Sequence, residues 1–442
     1  MSRPRVLLIA EAANPEWVSV PLEGWSHARA IAAVAEAHLV TQVRNREAIR
    51  RAGLREGDEF TAIDSEKIAR PAWKFSELVR GGSNKGWTMA TAIASLTYWY
   101  FEKLVWREFG AKISARRFDV VHRLTPLSPT TPSSLAGRCA RAGVPFVMGP
   151  INGGVPWPKG FDSERRREKE WLSYVRSAHR LLPGYRATRD NAAAIIVGSR
   201  DTMEQMGERW KAKCVYIPEN GHDPARFAEP SARAEAPPLR VVFVGRLVPY
   251  KGADMLLAAA APLVREGLVR VEIIGDGPEL PALKALAARE GLGEGVVFAG
   301  WVPHQQIAGR MGRAHVLGFP SVREFGGAVV LEAMALGLVP VVVAYGGPGE
   351  LVTGRTGLTV PIGTREQIVG AVRECLARLA ADSGLLAKMS EAARRRAAGQ
   401  FTWAAKASQV LEVYEWVMGR RPDKPEFGMP FPDPEESATH PR

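Results

Sequence analysis

The sequence predicts an α/β protein made of two doubly wound parallel-sheet domains in tandem. Three observations carry that prediction. The chain has 442 residues, too many for one typical core. Short apolar runs alternate with longer helical patterns in two successive series. A Pro- and Ala-rich stretch, residues 223–238, separates the series and reads as a linker.

In the first series the buried-strand candidates are 6–10, 37–43, 120–124, 144–148 and 194–197. Continuous apolar runs of this kind suit parallel strands covered on both faces. Helical patterns cover 26–35 and 91–109, and Ser26 is a candidate cap for the first of them. This domain is expected to span 1–222. The second series has strand candidates at 240–244, 269–274, 296–299, 316–319, 339–343 and 357–360, with helices at 254–265, 279–289, 303–311 and 328–335. It is expected to span 239–401. An amphipathic helix over 402–418 follows and is expected to rejoin the first domain. Residues 420–442, with many Pro and acidic residues, are expected to be a disordered tail.

Bulk composition narrows the function classes. Hydrophobic content of 46% and charged content of 24% describe an ordinary globular protein. The net charge of +12 suggests an anionic partner, or simply a solvated basic surface. The three cysteines, Cys139, Cys214 and Cys375, are too widely spaced for a metal site or a disulfide framework, which favours a reducing cytoplasm. The N-terminal apolar run is too short for a signal peptide, and no window reaches a membrane span. No nucleic-acid-binding module is recognisable.

The most informative segment runs from Ser321 to Ala335. Glu324 precedes Gly326 and Gly327, which let backbone approach a ligand. Glu332 lies inside a helical pattern, about 12 Å further along the axis. The helix N-terminus between them offers free N–H groups to an anion. Hydroxyl, phosphate, hydroxyl is the layout of a nucleotide sugar. Earlier in the same domain a strand ends at Gly245, and Arg246 and Lys251 follow before Gly252. Two cations on such a turn suit a diphosphate, Arg as a bidentate donor and Lys as a point charge. The turn Gly275-Asp276-Gly277-Pro278 is a weak glycine motif whose Gly277 could line the same site. Val302, after the next strand, offers backbone atoms to a base edge.

These pieces occur in order with Pro218-Glu219-Asn220-Gly221-His222-Asp223, Phe227 and Gly346-Gly347-Pro348-Gly349-Glu350. The set resembles the donor-binding half of family 4 of the retaining, nucleotide-sugar-dependent glycosyltransferases (glycosyl transferases group 1) over about residues 195–400. The resemblance implies a GT-B fold, two Rossmann-like domains facing across a cleft. It implies that Arg246 and Lys251 neutralise the donor diphosphate, and that Glu324 holds the donor sugar. Glu332 would take the ribose hydroxyls, with Phe325, Gly326 and Gly327 supplying backbone contacts. It further implies retention of anomeric configuration and no required metal or other cofactor. No Asp-x-Asp motif suited to a metal-held diphosphate is present.

The first domain departs from the family pattern. The loop after its first strand is long, and only Gly24 is placed to serve as the family's turn glycine. Trp17, Trp25 and His27 are candidate acceptor or sugar contacts, or packing residues. Where many relatives carry a histidine, this chain has Asn152, Gly153 and Gly154. His122 is another acceptor-side candidate. An aromatic helix in 83–109 and the basic run 163–169 suggest peripheral contact with an anionic membrane, or a core helix and a solvated one.

The expectation is a glycosyltransferase in the cytoplasm, free or peripheral at the inner face of the cell membrane, acting on a glycan or lipid-linked saccharide of cell-surface polysaccharide synthesis. Alternatives are a sugar-nucleotide epimerase of the same fold and a non-catalytic nucleotide-sugar-binding protein.

Overall fold

The computed structural model describes residues 2–68, 70–71, 87–153, 155–167, 183–227, 236–429 and 431. The chain forms two compact units. The first comprises Met1–Gly154, Glu168–Glu219 and Trp403–Phe427; the second comprises Val155–Arg167, Asn220–Thr402 and Gly428–Arg442.

The first unit is built on a parallel sheet of β1 (Arg5–Ala10), β2 (Glu36–Gln42), β3 (Phe60–Ile63), β4 (Val120–Thr125), β5 (Phe146–Ile151), β6 (Ala194–Val197) and β7 (Cys214–Tyr216). Its order is β3-β2-β1-β4-β5-β6-β7. Strand β1 reads RVLLIA, and every residue after Arg5 is buried, as a strand covered on both faces requires. Val6, Leu8, Ile31, Val120, Val147 and Ile196 form the core with Val410, Val413 and Tyr414 of the helix Trp403–Val417.

The second unit has a parallel sheet of β8 (Leu239–Val244), β9 (Val269–Ile274), β10 (Val296–Gly300), β11 (Val316–Phe319), β12 (Val339–Val343) and β13 (Leu358–Val360). Its order is β10-β9-β8-β11-β12-β13. The strand order of each parallel sheet therefore reverses once, between β1 and β4 and between β8 and β11. In open α/β sheets, ligands bind beyond the carboxyl ends of the strands at such a reversal.

Several local expectations change. The first helix starts at Val20 rather than Ser26, with Pro21 in its first turn, where a missing N–H costs nothing. Ser26 is thus inside the helix and caps nothing. Gly24 is not a turn glycine: it is buried within this helix, where a Cβ would strike the Ala12 carbonyl. The sharp backbone sits earlier, at Ser19, with φ 64°.

The helix Trp87–Ser114 buries Tyr98, Phe101, Val105, Phe109 and Ile113, one face at helical spacing, while Trp99 is 55% exposed. Among its described side chains the helix is thus a core element. The first part of the basic run lies in the helix Asp162–Arg167, while residues 168–169 and residues 228–235 of the expected linker lie outside the described residues. No described helix is long and apolar enough to cross a membrane.

The start of the expected disordered tail is packed. Arg421 pairs with Glu412, and Lys424 Nζ donates to the Cys214 carbonyl at 3.3 Å. Phe431 is buried and stacks on Phe401 at 5.6 Å between centroids. Residues 432–442 lie outside the described residues.

Candidate functional site in the second unit

The loops that leave β8 and β11 lie side by side at the reversal of the second sheet. The β8 loop runs from Gly245 through Arg246 to Lys251, where a short 3-10 turn (Pro249–Lys251) ends at Gly252. Gly252 has φ 77°, and a Cβ there would stand 2.5 Å from the Pro320 carbonyl oxygen. Only glycine permits this turn and the close approach of the two loops. The loops are also bonded to each other. The Val322 N–H donates to the Tyr250 carbonyl at 3.0 Å, and Ser321 Oγ donates to the same oxygen at 3.1 Å.

This knot brings Lys251 and Glu324 together as an ion pair, Nζ to Oε2. Their side chains are only 18% and 17% exposed. The ammonium lies 5.3 Å from the Phe319 ring centroid and 5.9 Å from that of Tyr250, on faces that attract a cation. Arg246, by contrast, is exposed, and no ion pair involving it is present among the described residues.

Glu324 sits on a fixed loop. Its carbonyl accepts the Gly347 N–H at 3.3 Å. Next to it, the buried Arg323 guanidinium lies between two rings, 4.9 Å from Trp157 and 5.1 Å from Phe325. Trp157 also meets Tyr250 edge-on, and Tyr345 Oη donates to the Pro156 carbonyl at 2.9 Å. These contacts explain why Val155–Arg167 belongs to the second unit although it follows β5 in sequence. The sequence reading missed Arg323 and this strap; the only signals were Trp157 in a Pro-flanked segment and an arginine beside Glu324.

Gly326 and Gly327 are buried and open the helix Ala328–Ala335, with Gly327 left-handed at φ 68°. Glu332 is half-buried on that helix. Gly277 donates its N–H to Asp276 Oδ1 at 2.7 Å, and the Leu247 N–H donates to the Asp276 carbonyl at 2.9 Å, which ties the β9 turn to the β8 loop. Gly245 bonds to Ile274, and Val302 is buried after β10. Gly245, Arg246, Lys251, Gly277, Val302, Glu324, Phe325 and Gly327 therefore all lie on loops at the carboxyl ends of adjacent strands.

The first-unit candidates fare differently. His122 lies on β4, fully buried. Its Nε2 is 2.7 Å from the Gly149 carbonyl and its Nδ1 is 2.6 Å from Tyr414 Oη. A neutral ring satisfies both, donating at Nε2 and accepting at Nδ1. Burial pushes its pKa down to about 3. His27 is also buried. Its Nε2 donates to the Glu219 carbonyl at 2.7 Å, and burial, opposed by that bond and reinforced by Lys406, depresses its pKa to about 4. Both are packing residues in this unit, not solvent-facing contacts. Trp25 packs against the core, with Arg29 5.7 Å over its ring. Asn152 and Gly153 are half-buried past β5, where the Asn152 N–H donates to the Leu127 carbonyl and the Gly153 N–H to Thr202 Oγ1, both at 2.8 Å. Gly154 lies outside the described residues. Among the described residues no cluster of His, Cys, Asp and Glu suited to a metal ion occurs.

A profile of the family described as glycosyl transferases group 1 matches residues 227–396. The chain is 30% identical over 312 residues to a GDP-mannose-dependent alpha-mannosyltransferase of Mycobacterium tuberculosis, covering 69% of this chain and 74% of the relative. The chain belongs to the glycosyl transferases group 1 family. The matched profile contains the Lys251–Glu324 knot, Arg246 and Glu332, so the site lies within the family's shared region. A D-inositol 3-phosphate glycosyltransferase of Mycobacteroides abscessus is 34% identical over 254 residues, 53% of this chain and 55% of the relative. The chain spans about half the length of the first curated relatives it matches. The fold is that of GT-B glycosyltransferases. A glycosyltransferase of Rickettsia africae superposes with a TM-score of 0.61 at 15% identity, covering 95% of this chain and 100% of the other. Anabaena HepE in complex with UDP gives 0.58 at 17% identity, with 92% and 98% covered.

Proposed function

We propose that this family member is a retaining glycosyltransferase that moves a sugar from a nucleoside-diphosphate sugar to an acceptor hydroxyl. The observation that carries the reading is the meeting of Lys251 and Glu324, beside Arg246, at the reversal of the second sheet. Cations and a carboxylate on adjoining loops suit a ligand that is anionic at one end and hydroxylated at the other.

In this reading Arg246 and Lys251 bind the diphosphate and stabilise the charge that grows on it as the sugar leaves. Glu324 accepts hydrogen bonds from the donor sugar, and Glu332 accepts them from the ribose. Phe325, Gly326 and Gly327 lead into the N-terminus of the helix Ala328–Ala335, whose N–H groups face the anion. Gly245, Gly277 and Val302 complete the wall. The anomeric C–O bond to phosphate breaks while the acceptor oxygen bonds to the same face. The acceptor proton passes to the leaving phosphate oxygen. Protein cations carry the charge, so no metal is needed. The acceptor is a glycan or lipid-linked saccharide; relatives include a phosphatidylinositol monomannoside mannosyltransferase. The protein would work in the cytoplasm.

A thermal-shift panel of UDP, GDP and their sugars tests this. A ligand at ~100 times its dissociation constant adds roughly 2.7 kcal/mol of stability. Stabilisation by one base, lost in Arg246→Ala and Glu332→Ala, is the expected result. No stabilisation by any nucleotide would sink the donor site.

A further inference from the structure

We infer that the Lys251–Glu324 ion pair makes the site prefer the sugar-bearing donor over the bare nucleoside diphosphate, and so expels the spent nucleotide after transfer. The inference rests on the donor-site reading above.

The pair is built rather than incidental. It joins the two loops at the sheet reversal, which are pinned together by the Tyr250 carbonyl's bonds to Val322 and Ser321. Both side chains are largely buried. Lys251 leans on the Phe319 and Tyr250 faces, so its ammonium is positioned even before a ligand arrives.

Any diphosphate that recruits Lys251 must take it from Glu324. A partly buried carboxylate that loses its cation is costly unless new donors replace it. A nucleotide sugar supplies both halves of the exchange: phosphate oxygens take the ammonium, and sugar hydroxyls donate to the carboxylate. A bare nucleoside diphosphate supplies only the first half. Its gain at Lys251 is offset by the stranded Glu324. Once the sugar has moved to the acceptor, Glu324 recaptures Lys251 and the nucleotide is left held by Arg246. The same pair thus raises donor affinity relative to product affinity.

The decisive variant is Glu324→Gln, which keeps the shape and one acceptor oxygen but removes the charge and so frees the lysine. Calorimetric titration of wild type and variant would use UDP, GDP and the nucleotide sugar of the preferred base. The expected result is bare nucleoside diphosphate bound about tenfold tighter by Glu324→Gln, with nucleotide sugar unchanged or weaker. In a Lys251→Met background the Glu324→Gln change should bring no tightening, which confines the effect to the pair. Unaltered or weakened nucleoside diphosphate binding in a folded Glu324→Gln protein, judged by its melting temperature, overturns the inference while the donor site stands. If wild type binds no nucleotide at all, both readings fall.

Discussion

At the scale of single residues, charge and burial separate the groups that can meet a ligand from those that hold the fold. Arg246 is exposed and keeps its charge free for an anion, whereas His27 and His122 are sealed in the first unit with their polar atoms bonded. Removing Arg246 should therefore affect binding and turnover but not stability. Arg246→Ala is expected to weaken the nucleotide sugar by about 10–100-fold, the loss of one charged hydrogen-bonding group, with an unchanged melting temperature in the absence of ligand. Steady-state kinetics and a ligand-free melt check both halves.

The histidines should show in stability. Their folded pKa values of about 4 and about 3 lie below the ordinary 6.5, so the unfolded chain takes up protons that the native state refuses. Their contribution is fully present above pH 6.5 and is lost as pH falls toward 4, by about 1.4 kcal/mol per pH unit for each. Glu11, pushed up by burial to about 7, works in the opposite sense across an overlapping range. A comparison of His27→Gln with wild type isolates the histidine. The variant should lose about one proton's worth of slope in urea-melt stability between pH 6.5 and 4.5. Parallel slopes would show that His27 does not stay neutral. The sequence could not separate His27 and His122 from acceptor contacts. A histidine near a strand end reads the same whether it faces solvent or a buried carbonyl, and the carbonyl comes from Gly149 or Glu219, far along the chain.

At the scale of elements, strands with wholly apolar runs between turn residues were legible. Strands β6, β9, β11 and β12 have the expected bounds, and the helix Ala328–Ala335 does too. The misses have physical causes. Strands β3 and β7 are sheet edges of four and three residues, too short to show a pattern. Strand β5 starts at Phe146, after Pro145, and runs on through Gly149 and Pro150, residues that argue locally against a strand. The turn at Gly252 was legible as a glycine but not as a contact between loops. Gly252→Ala should cost about 2 kcal/mol or more, combining left-handed strain with the collision on the Pro320 carbonyl. Gly291→Ala provides the control: φ is 64° there, but no atom lies within 4 Å of the added Cβ, so strain of about 1 kcal/mol is expected alone. Denaturant melts of the pair check this. Equal losses would mean that the loop yields at Pro320 without cost.

At the scale of the whole molecule, neither unit is a continuous piece of chain. The first needs Trp403–Phe427 from far downstream, and the second takes Val155–Arg167 and the residues beyond Gly428. The returning helix fills the first unit's core. Val410, Val413 and Tyr414 are essentially fully buried there, and the Tyr414 hydroxyl completes the bonding of His122. Burying each such side chain contributes about 1.5–3 kcal/mol, so the three together are worth roughly 5–9 kcal/mol. That is comparable to the whole stability of an ordinary domain. A fragment ending at Glu219 is therefore expected to be unfolded or to aggregate. Joining residues 403–427 to it through a flexible linker should restore a cooperative melt by circular dichroism. Replacing Tyr414 by Ala in the joined fragment should undo much of that rescue, because the cavity and the stranded His122 nitrogen are costly together. A fragment 1–219 that melts cooperatively without the helix would show that the packing around Val410, Val413 and Tyr414 adds little to a core that the first sheet already completes.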